Sequence, residues 1–453
     1  MHASTASGRG LDRRTVVLAL ASFAIATESY VFVGHLGALA ADLSVEVPAA
    51  GQLASIFAVT YALTGPLTAR VMARFDRRAV LTIGLVLIGL LNLSASLASS
   101  YAALMTIRCL CGLAAGLVGP MASTAAADLA GPEQRGKAIA IVLSGMTIAL
   151  VVGIPIGTLI GAFGGWRGTF TYAGLLAIGS ALAIRFVLPA VPGAALSSGS
   201  AARAALSPAV GICLLLTLIS YTSGFIIAIY VAPLVVAICG LSATGVGAIQ
   251  ALGGVGSMLG IVLGGYVADR GSAGPMLRVA FLVSAASLAV FSILMLAPVP
   301  RPLAIILISA ATLLGLAALF ARLPIVVARL LALVPMETRP VIMALHISMI
   351  FLGQGLAGAV GGVVMQLSGL AALGVVGCVV ALIGALIALP ARPAEAANGE
   401  AAGPDDPAPA ASVAGGRVDG SVNRPVPLTA GCRGRPCARH RTAARRGGCR
   451  TTR

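Results

Sequence analysis

Charged residues are scarce in this 453-residue chain. Asp, Glu, Lys and Arg together make up 10% of it, whereas hydrophobic residues make up 58%. Ordinary soluble domains carry about 25% charged residues. A chain with so little charge cannot cover a soluble globule with polar surface. The composition therefore excludes a soluble globular protein and predicts a polytopic membrane protein whose main partner is the lipid bilayer.

Acidic residues are scarcer than basic ones. The chain has 14 Asp and Glu against 30 Lys and Arg, a formal net charge of +16. The basic excess lies mostly in short loops between apolar runs and in the C-terminal tail. This distribution is typical of membrane topology, and we expect no nucleic-acid partner.

The sequence also lacks the residue patterns of enzymes. No nucleophile–base pair, metal-ligand cluster or phosphate-binding loop stands out. The eight cysteines show no paired metal-ligand spacing in the hydrophobic part of the chain. Glycine-rich runs such as ALGGVGSMLG lie inside an apolar stretch, where helix packing explains them. We expect neither an enzyme nor a bound metal or cofactor.

Apolar runs long enough to cross a bilayer, about 20 residues each, are abundant. Twelve such helices are predicted, at 16–36, 49–71, 80–98, 102–124, 138–160, 170–188, 209–231, 245–266, 277–297, 303–321, 341–363 and 370–389.

Basic residues crowd one side of these helices. With the N-terminus inside, the loops on the inner side carry most arginines, among them Arg13, Arg135 and Arg322, while the outer side has only Arg167 and Arg301. The positive-inside rule therefore predicts that both termini are cytoplasmic, in a cell inner membrane. The even number of helices agrees with this topology.

The helices divide into two groups of six. We predict an N-terminal bundle at 1–189, a cytoplasmic linker at 190–208 and a C-terminal bundle at 209–390. After that the composition changes to Pro, Ala and Gly and then to many arginines. Because such a segment cannot bury enough apolar surface to fold, the tail at 391–453 is predicted to be disordered.

An internal repeat relates the two bundles. With an offset of 204 residues, Arg135 maps to Arg339 and Pro120 maps to Pro324. A repeat in the same orientation, six helices apart, is the parallel-repeat plan of secondary transporters, with the substrate path between the halves. The predicted fold is all-α, with twelve transmembrane helices in two pseudo-symmetric bundles.

Small residues recur every four positions in the fifth predicted helix. Gly145, Gly153 and Gly157 belong to this strip, which lets another helix approach closely. Pro155 lies within it and is expected to bend the helix, because proline removes one amide donor and clashes with the preceding turn. We expect the strip to be the element along which the two halves move, although glycine and proline are also common in membrane helices generally.

Glu28 and Arg108 are charged residues inside predicted helices. A carboxylate buried there costs several kcal/mol unless it is paired or protonated, so it is a functional candidate by default. Arg108 stays charged and needs an acceptor. Counted from the outer ends of their helices, the two lie at similar depth, and we expect them to be coupled. Static structural roles for both remain open alternatives.

Other polar residues within the spans are candidates to line a substrate cavity. His346 titrates near neutral pH when unperturbed, and the tyrosines offer amphipathic contacts to a ligand. Each of these residues has packing as its open alternative. The candidates are Tyr30, Tyr230, Gln250, His346 and Gln354.

Two predicted cytoplasmic turns are candidate gate elements. Carboxylate–arginine contacts between such turns would hold one transport state closed, and plain positive-inside topology is the alternative. The gate candidates are Arg74, Arg77 and Arg78 in one turn and Gly265, Asp269 and Arg270 in the other.

Several of these stretches resemble the major facilitator superfamily, in particular its drug:proton antiporter branch of bacterial sugar- and chloramphenicol-efflux permeases. The resemblance covers about 13–390. TESYVFVGHLGALAADL and RCLCGLAAG are similar to signatures of its first and fourth helices, and GIPIG is similar to the antiporter motif of its fifth. This implies proton coupling through Glu28 and Arg108. It also implies export, marked by Gly153, Pro155 and Gly157.

The chain departs from the family pattern in the loop between the second and third helices. The family motif there reads G-x-x-x-D-R-x-G-R-R, whereas this chain has Ala69, Ala73 and Asp76 in place of the first glycine, the acid and the second glycine. The corresponding loop in the second half keeps Gly265 and Asp269. We expect a monomeric exporter that exchanges a small drug-like molecule for protons by alternating access. A sugar or metabolite exporter, an uptake symporter and a non-transporting receptor remain alternatives.

Overall fold

Every regular element in the described chain is a helix. The computed structural model describes residues 12–72, 74–130, 134–192, 207–268 and 273–388, and these ranges contain no strand. Most of the predicted linker and the whole predicted tail lie outside them. Helices suit a lipid environment, because each bonds its backbone N–H and C=O groups within its own segment.

Six spans form the N-terminal half, and two of them consist of more than one helical segment. A 3-10 turn at Val33–His35 joins the segments of the first span. The helices are Arg13–Tyr30 and Leu36–Asp42 (first span), Val47–Met72 (second), Arg77–Ser96 (third), Tyr101–Ala130 (fourth), Arg135–Ile148 (start of the fifth) and Ile154–Val187 (rest of the fifth, and the sixth).

Six further spans form the C-terminal half. A 3-10 turn at Met336–Thr338 precedes the eleventh span. The helices are Pro208–Ile229 and Val231–Cys239 (seventh span), Ala243–Ala268 (eighth), Ala273–Leu296 (ninth), Arg301–Leu333 (tenth), Arg339–Ser368 (eleventh) and Ala372–Ile387 (twelfth).

The prediction of twelve spans is confirmed over the described ranges. Ten segments are long and apolar enough to cross a membrane, and one of them, Arg135–Val187, has 53 residues. At 1.5 Å per residue that is about 80 Å, far more than a bilayer core. The chain turns at Gly165, whose φ of 64° is readily adopted by glycine. This segment therefore contains the fifth and sixth spans, and the shorter apolar helix supplies the twelfth.

The helices of the two halves are interrupted at corresponding positions. The first helix of the first span ends at Tyr30, and that of the seventh span ends directly before Tyr230. Pro120 lies inside the fourth-span helix and Pro324 inside the tenth. These prolines are the pair that the sequence repeat aligned, so the repeat corresponds to equivalent helices.

The tenth span is longer than predicted. The sequence pattern ended it at residue 321, but the helix continues to Leu333. Arg322 therefore lies inside a span, and its assignment to a cytoplasmic loop is wrong. Its side chain is only 1% exposed, because its guanidinium is covered by the neighbouring ninth span.

The molecule has two faces where the spans end. We call the side that bears Arg13, Arg77 and Arg135 the basic face, and the side that bears Asp42 and Arg301 the opposite face. The basic face corresponds to the predicted cytoplasmic side.

Two pairs of spans make the largest contacts between the halves: the second packs on the eleventh, and the fifth packs on the eighth. The first span also contacts the seventh. In the first pair, the rings of Tyr61 and Phe351 stack with centroids 3.7 Å apart. In the second pair, the Thr158 hydroxyl donates to Gln250 Oε1 at 2.7 Å. Any movement between the halves must break or slide these contacts.

Candidate functional site

Glu28 and Arg108 form an ion pair in the core of the N-terminal half. Arg108 Nη1 lies 2.6 Å from Glu28 Oε1, and both side chains are 0% exposed. Glu28 is on the last turn of the first helix, and Arg108 is about two turns into the fourth span. The structure thus brings together the two residues singled out for proton coupling, while the coupling itself stays a prediction.

Arg108 also caps the end of the first helix. Because the helix stops at Tyr30, its last backbone carbonyls have no N–H group of a following turn to accept from. Arg108 donates to the carbonyl oxygens of Glu28 at 3.3 Å and Ser29 at 2.9 Å, and its Nε donates to that of Leu53 at 3.3 Å. A cation at a helix C-terminus is also favoured by the helix dipole. Arg108 therefore joins the first, second and fourth spans.

Aromatic rings enclose the ion pair. The guanidinium carbon of Arg108 lies 5.1 Å from the ring centroid of Phe32 and 4.5 Å from that of Phe57. Asn92 Nδ2 donates to Glu28 Oε1 at 3.4 Å, but Glu28 Oε2 has no hydrogen-bond partner among the described residues. An ionised carboxylate accepts hydrogen bonds at both oxygens, whereas a neutral carboxyl carries its proton on one. Oε2 is therefore the oxygen best placed to carry a proton.

A cavity of about 110 Å³ lies where the first and fifth spans face the seventh to tenth spans. Most of its wall is aliphatic, aromatic or glycine, and none of its lining residues carries a charge. The predicted cavity residues Tyr30 and Gln250 belong to the wall. The polar side chains that line it are those of Tyr30, Gln250, Ser284, Ser287 and Thr312.

Gln354 and Tyr230 were predicted to line the cavity but lie outside its wall. Gln354 Oε1 accepts a hydrogen bond from Tyr30 Oη at 2.7 Å, so it contacts a lining residue from behind. Tyr230 Oη donates to the Gly358 carbonyl at 2.9 Å, and the ring packs against Gly51 of the other half. Both residues thus hold the halves together on the side of the opposite face.

His346 also lies away from the cavity. Its side chain is 1% exposed, and its Nδ1 is 3.1 Å from the Thr217 hydroxyl of the seventh span. Its Nε2 has no partner among the described residues. The contact joins the seventh and eleventh spans within one half, which corresponds to the structural alternative for this histidine.

The glycine strip of the fifth span packs on the first span. A side chain at Gly145 would collide with the backbone of Ala19, one at Gly157 with the side chain of Val31, and Gly153 meets the same helix between them. The expectation that the halves slide along this strip is therefore wrong for this structure. A four-residue period predicts that the small residues lie on one face of the helix. It does not predict which neighbouring helix packs on that face.

Pro155 distorts the fifth span as predicted. The preceding turn, Ala149–Gly153, is π-helical, and the Ile154 N–H bonds to the Ala149 carbonyl five residues back. Proline has no N–H, and its ring would clash with the carbonyl of Val151 in a regular helix. The wider turn removes this conflict.

The distorted turn faces the other half. Gly254 of the eighth span packs against the backbone of Leu150 and Val151, and Gly247 lies near the Pro155 carbonyl. The close approach between the halves thus depends on glycines of the eighth span, which the sequence reasoning did not select.

The loop between the second and third spans binds within its own half. Arg77 forms an ion pair with Asp128 of the fourth span. Asp76 accepts from the backbone N–H of Ala79 at 2.8 Å, where it caps the third-span helix, and from that of Val191 at 2.7 Å. These contacts fasten the basic face of the N-terminal half.

The contacts of Arg74 and Arg78 that involve described residues lie within the N-terminal half. Arg78 Nη1 donates to the Leu188 carbonyl at 3.3 Å, and Arg74 is exposed. Gly265 lies in the eighth-span helix, whereas Asp269 and Arg270 lie outside the described residues. The contacts recorded for this arginine cluster are therefore internal to the N-terminal half.

Arg322 is the charged residue that sequence reasoning misplaced. Its Nη2 donates to Ser284 Oγ at 3.0 Å, and its guanidinium carbon lies 4.2 Å from the ring centroid of Phe281. Its Nε and Nη1 have no hydrogen-bond partner among the described residues. The apolar run that continues from Arg322 to Leu333 was the signal that could have placed it inside a span.

Relatives of this chain include named resistance and transport proteins. It is 30% identical over 274 residues to the chloramphenicol resistance protein of Streptomyces lividans, which covers 58% of this chain and 70% of that protein. It is also 30% identical over 263 residues to the inner membrane transport protein YdhP of Escherichia coli (strain K12), covering 56% and 66%. The matches thus span about two thirds of the relatives' length.

Solved structures share the fold. The nucleoside transporter NupG superposes with a TM-score of 0.69 at 12% identity, covering 84% of this chain and 99% of that one. A D-xylose-proton symporter superposes with a TM-score of 0.67 at 18% identity, covering 83% and 98%. The sequence profile of the Major Facilitator Superfamily matches 18–321 and 213–432. With this match, the twelve-span fold and the repeated halves, the chain belongs to the Major Facilitator Superfamily.

Proposed function

We propose that this protein is a proton-coupled exporter of small lipophilic molecules in a bacterial inner membrane. The observation that carries the proposal is the position of the buried Glu28–Arg108 pair at the end of the first helix. Two residues after Glu28, Tyr30 lines the cavity and bonds to Gln354 of the other half. One helix end therefore connects a proton-binding group, the substrate cavity and the contact between the halves.

A proton on Glu28 changes the charge balance of this junction. The ionised carboxylate holds Arg108 Nη1 at 2.6 Å. When Oε2 takes up a proton, the ion pair becomes an ion–dipole contact, and the attraction in this buried site weakens. Arg108 keeps its bonds to the helix-end carbonyls, but the carboxyl group no longer fixes its position. The first helix then shifts more easily against the fourth.

In the proposed cycle, protonation of Glu28 from outside favours release of substrate, and deprotonation toward the cytoplasm favours reloading. The halves would rock about the second–eleventh and fifth–eighth contacts, as expected for a parallel-repeat transporter. The direction of export rests on the resemblance of Gly153, Pro155 and Gly157 to the antiporter motif of the family.

The cavity chemistry favours lipophilic substrates over sugars. Its polar groups are few, and its wall contains Phe225, Phe291 and Phe320. Sugar binding requires several convergent hydrogen-bonding groups, whereas apolar and aromatic walls suit drug-like molecules. The names of two relatives, a chloramphenicol resistance protein and a chloramphenicol efflux pump of Mycobacterium tuberculosis, make chloramphenicol the first compound to test.

The test is substrate-induced proton movement in everted membrane vesicles. Chloramphenicol and a panel of other lipophilic antibiotics and sugars are added to energised vesicles, and the internal pH is followed with a fluorescent dye. We expect proton efflux on addition of a transported compound. Glu28→Gln keeps the size of the side chain but removes its titration, and should abolish this proton movement.

Glu46→Gln is the matched control, because Glu46 is exposed at the opposite face and undergoes the same chemical change. It should leave proton efflux unchanged. Transport without proton movement in the unmodified protein would overturn the coupling, and proton-linked transport that persists in Glu28→Gln would overturn the assigned carrier.

A further inference from the structure

Arg322 is a buried cation that has no counter-ion among the described residues. Its side chain is 1% exposed, and its one recorded hydrogen bond is to a neutral hydroxyl, Ser284 Oγ. Two of its nitrogens have no partner in the described part of the chain. An uncompensated guanidinium inside a membrane protein costs several kcal/mol and is kept where it binds something.

Arg108 provides the comparison within the same chain. It is equally buried, yet it has Glu28 as a counter-ion and three backbone carbonyls as acceptors. In the described part of the chain Arg322 has none of these, although both guanidinium groups stack near aromatic rings. The N–H groups of Arg108 are therefore used in holding helices together. Two nitrogens of Arg322 are not used in this way.

Ser284 links Arg322 to the cavity. The Ser284 hydroxyl accepts from Arg322 Nη2, and Ser284 lines the cavity wall. Thr312, on the same helix as Arg322, also lines the cavity, and its hydroxyl has no partner among the residues that the structure describes. A ligand group that reaches past Ser284 would meet the guanidinium.

We propose that Arg322 binds the carboxylate of a lipophilic organic anion held in this cavity. The aromatic and aliphatic wall takes the apolar body of the ligand, and Arg322 and Ser284 take its charged end. A carboxylate supplies both the missing negative charge and two acceptor oxygens, and a guanidinium donates to such a group more strongly than to a neutral one. The inference deepens the proposed function, because it rests on the cavity being the substrate site and names the class of substrate.

The test measures equilibrium binding to the full chain in lipid nanodiscs, with no proton gradient. The probes are 1-naphthaleneacetate, radiolabelled, and its neutral amide, 1-naphthaleneacetamide, as a competitor. At pH 7.5 the acid is ionised, because free carboxyl groups titrate near pH 4. We expect the acid to bind at least about tenfold more tightly than the amide, the factor that a hydrogen bond to a charged group contributes.

Arg322→Gln should remove this preference by weakening the acid about tenfold while leaving the amide within about twofold. Retained amide binding then demonstrates that the variant is folded and its cavity is intact. Arg322→Lys should restore part of the preference, since it keeps the charge. Arg185→Gln is the control, because Arg185 is exposed at the end of the sixth span and should not affect either probe.

Three results would overturn the inference: equal binding of acid and amide, no binding of either probe, or a preference for the acid that survives Arg322→Gln. Failure of the proposed proton coupling is a separate outcome, because binding is measured without a gradient. A protein that prefers the acid but moves no protons would keep the Arg322 site and lose the exporter mechanism.

Discussion

The Tyr30 hydroxyl donates a 2.7 Å hydrogen bond to Gln354 across the boundary between the two halves. Tyr30 follows Ser29, whose carbonyl accepts from Arg108, and Ser29 follows Glu28, which pairs with Arg108. Three consecutive residues therefore connect a buried ion pair inside one half with a contact to the other. A change of charge at Glu28 has a short physical path to the boundary.

Tyr30→Phe should loosen that boundary. It removes one hydrogen bond and little volume, and a bond of this kind contributes about 1 kcal/mol, or about fivefold in an opening equilibrium. We expect amide hydrogen exchange at 355–366 to become faster by about that factor. Tyr172→Phe serves as the control, because that half-buried tyrosine lies within the N-terminal half. Unchanged exchange in Tyr30→Phe would mean that the bond does not help to keep the halves closed.

The Glu28–Arg108 pair should show strong coupling in a double-mutant cycle. Arg108→Gln leaves a buried carboxylate and several helix-end carbonyls unpaired, and breaking such a pair costs about 3–5 kcal/mol. In the double variant Glu28→Gln/Arg108→Gln part of this loss should be recovered, because no uncompensated charge remains. Unfolding in SDS titrations measures all three variants. Additive losses would contradict the coupling.

Gly145→Val should destabilise the fifth span. The added side chain meets the backbone of Ala19, which cannot rotate away as a side chain would. Overpacking of this kind costs about 1–3 kcal/mol. Gly179→Val is matched, because a side chain there meets nothing within 4 Å. The SDS midpoint should fall for the first variant only, and equal effects of both would indicate helix propensity and not packing.

Pro155→Ala should change the π-helical turn before it. Alanine supplies the missing N–H and removes the ring that conflicts with the Val151 carbonyl, so a regular helix becomes favourable by up to about 3 kcal/mol. We expect slower amide exchange at 149–155 and slower transport, since the turn lies where the fifth span meets the eighth. Pro120→Ala, inside the fourth span, is the control and should leave exchange at 149–155 unchanged. An unaltered exchange rate in Pro155→Ala would show that the wide turn does not depend on the proline.

The sequence determined the twelve spans, because lipid allows only helices with internally bonded backbones and apolar runs of the required length are readable directly. The repeat aligned Pro120 with Pro324, and both lie inside equivalent helices. The number of residues between each side chain and the outer end of its helix also predicted that Glu28 and Arg108 lie at similar depth in the membrane. This works because a helix rises by a constant distance per residue. These features follow from local composition and from spacing along the chain.

Tertiary structure decided which faces meet. The glycine strip of Gly145 faces the first span, while Gly254 makes the close approach between the halves, and no period in one helix specifies its neighbour. Arg322 lies within the tenth-span helix, where it bonds to Ser284 and packs on the ring of Phe281. From its charge alone it was predicted to be a loop residue. Helix rotation and packing depend on contacts between residues far apart in the chain, and those contacts decided that Arg322 bonds to Ser284 of the cavity wall.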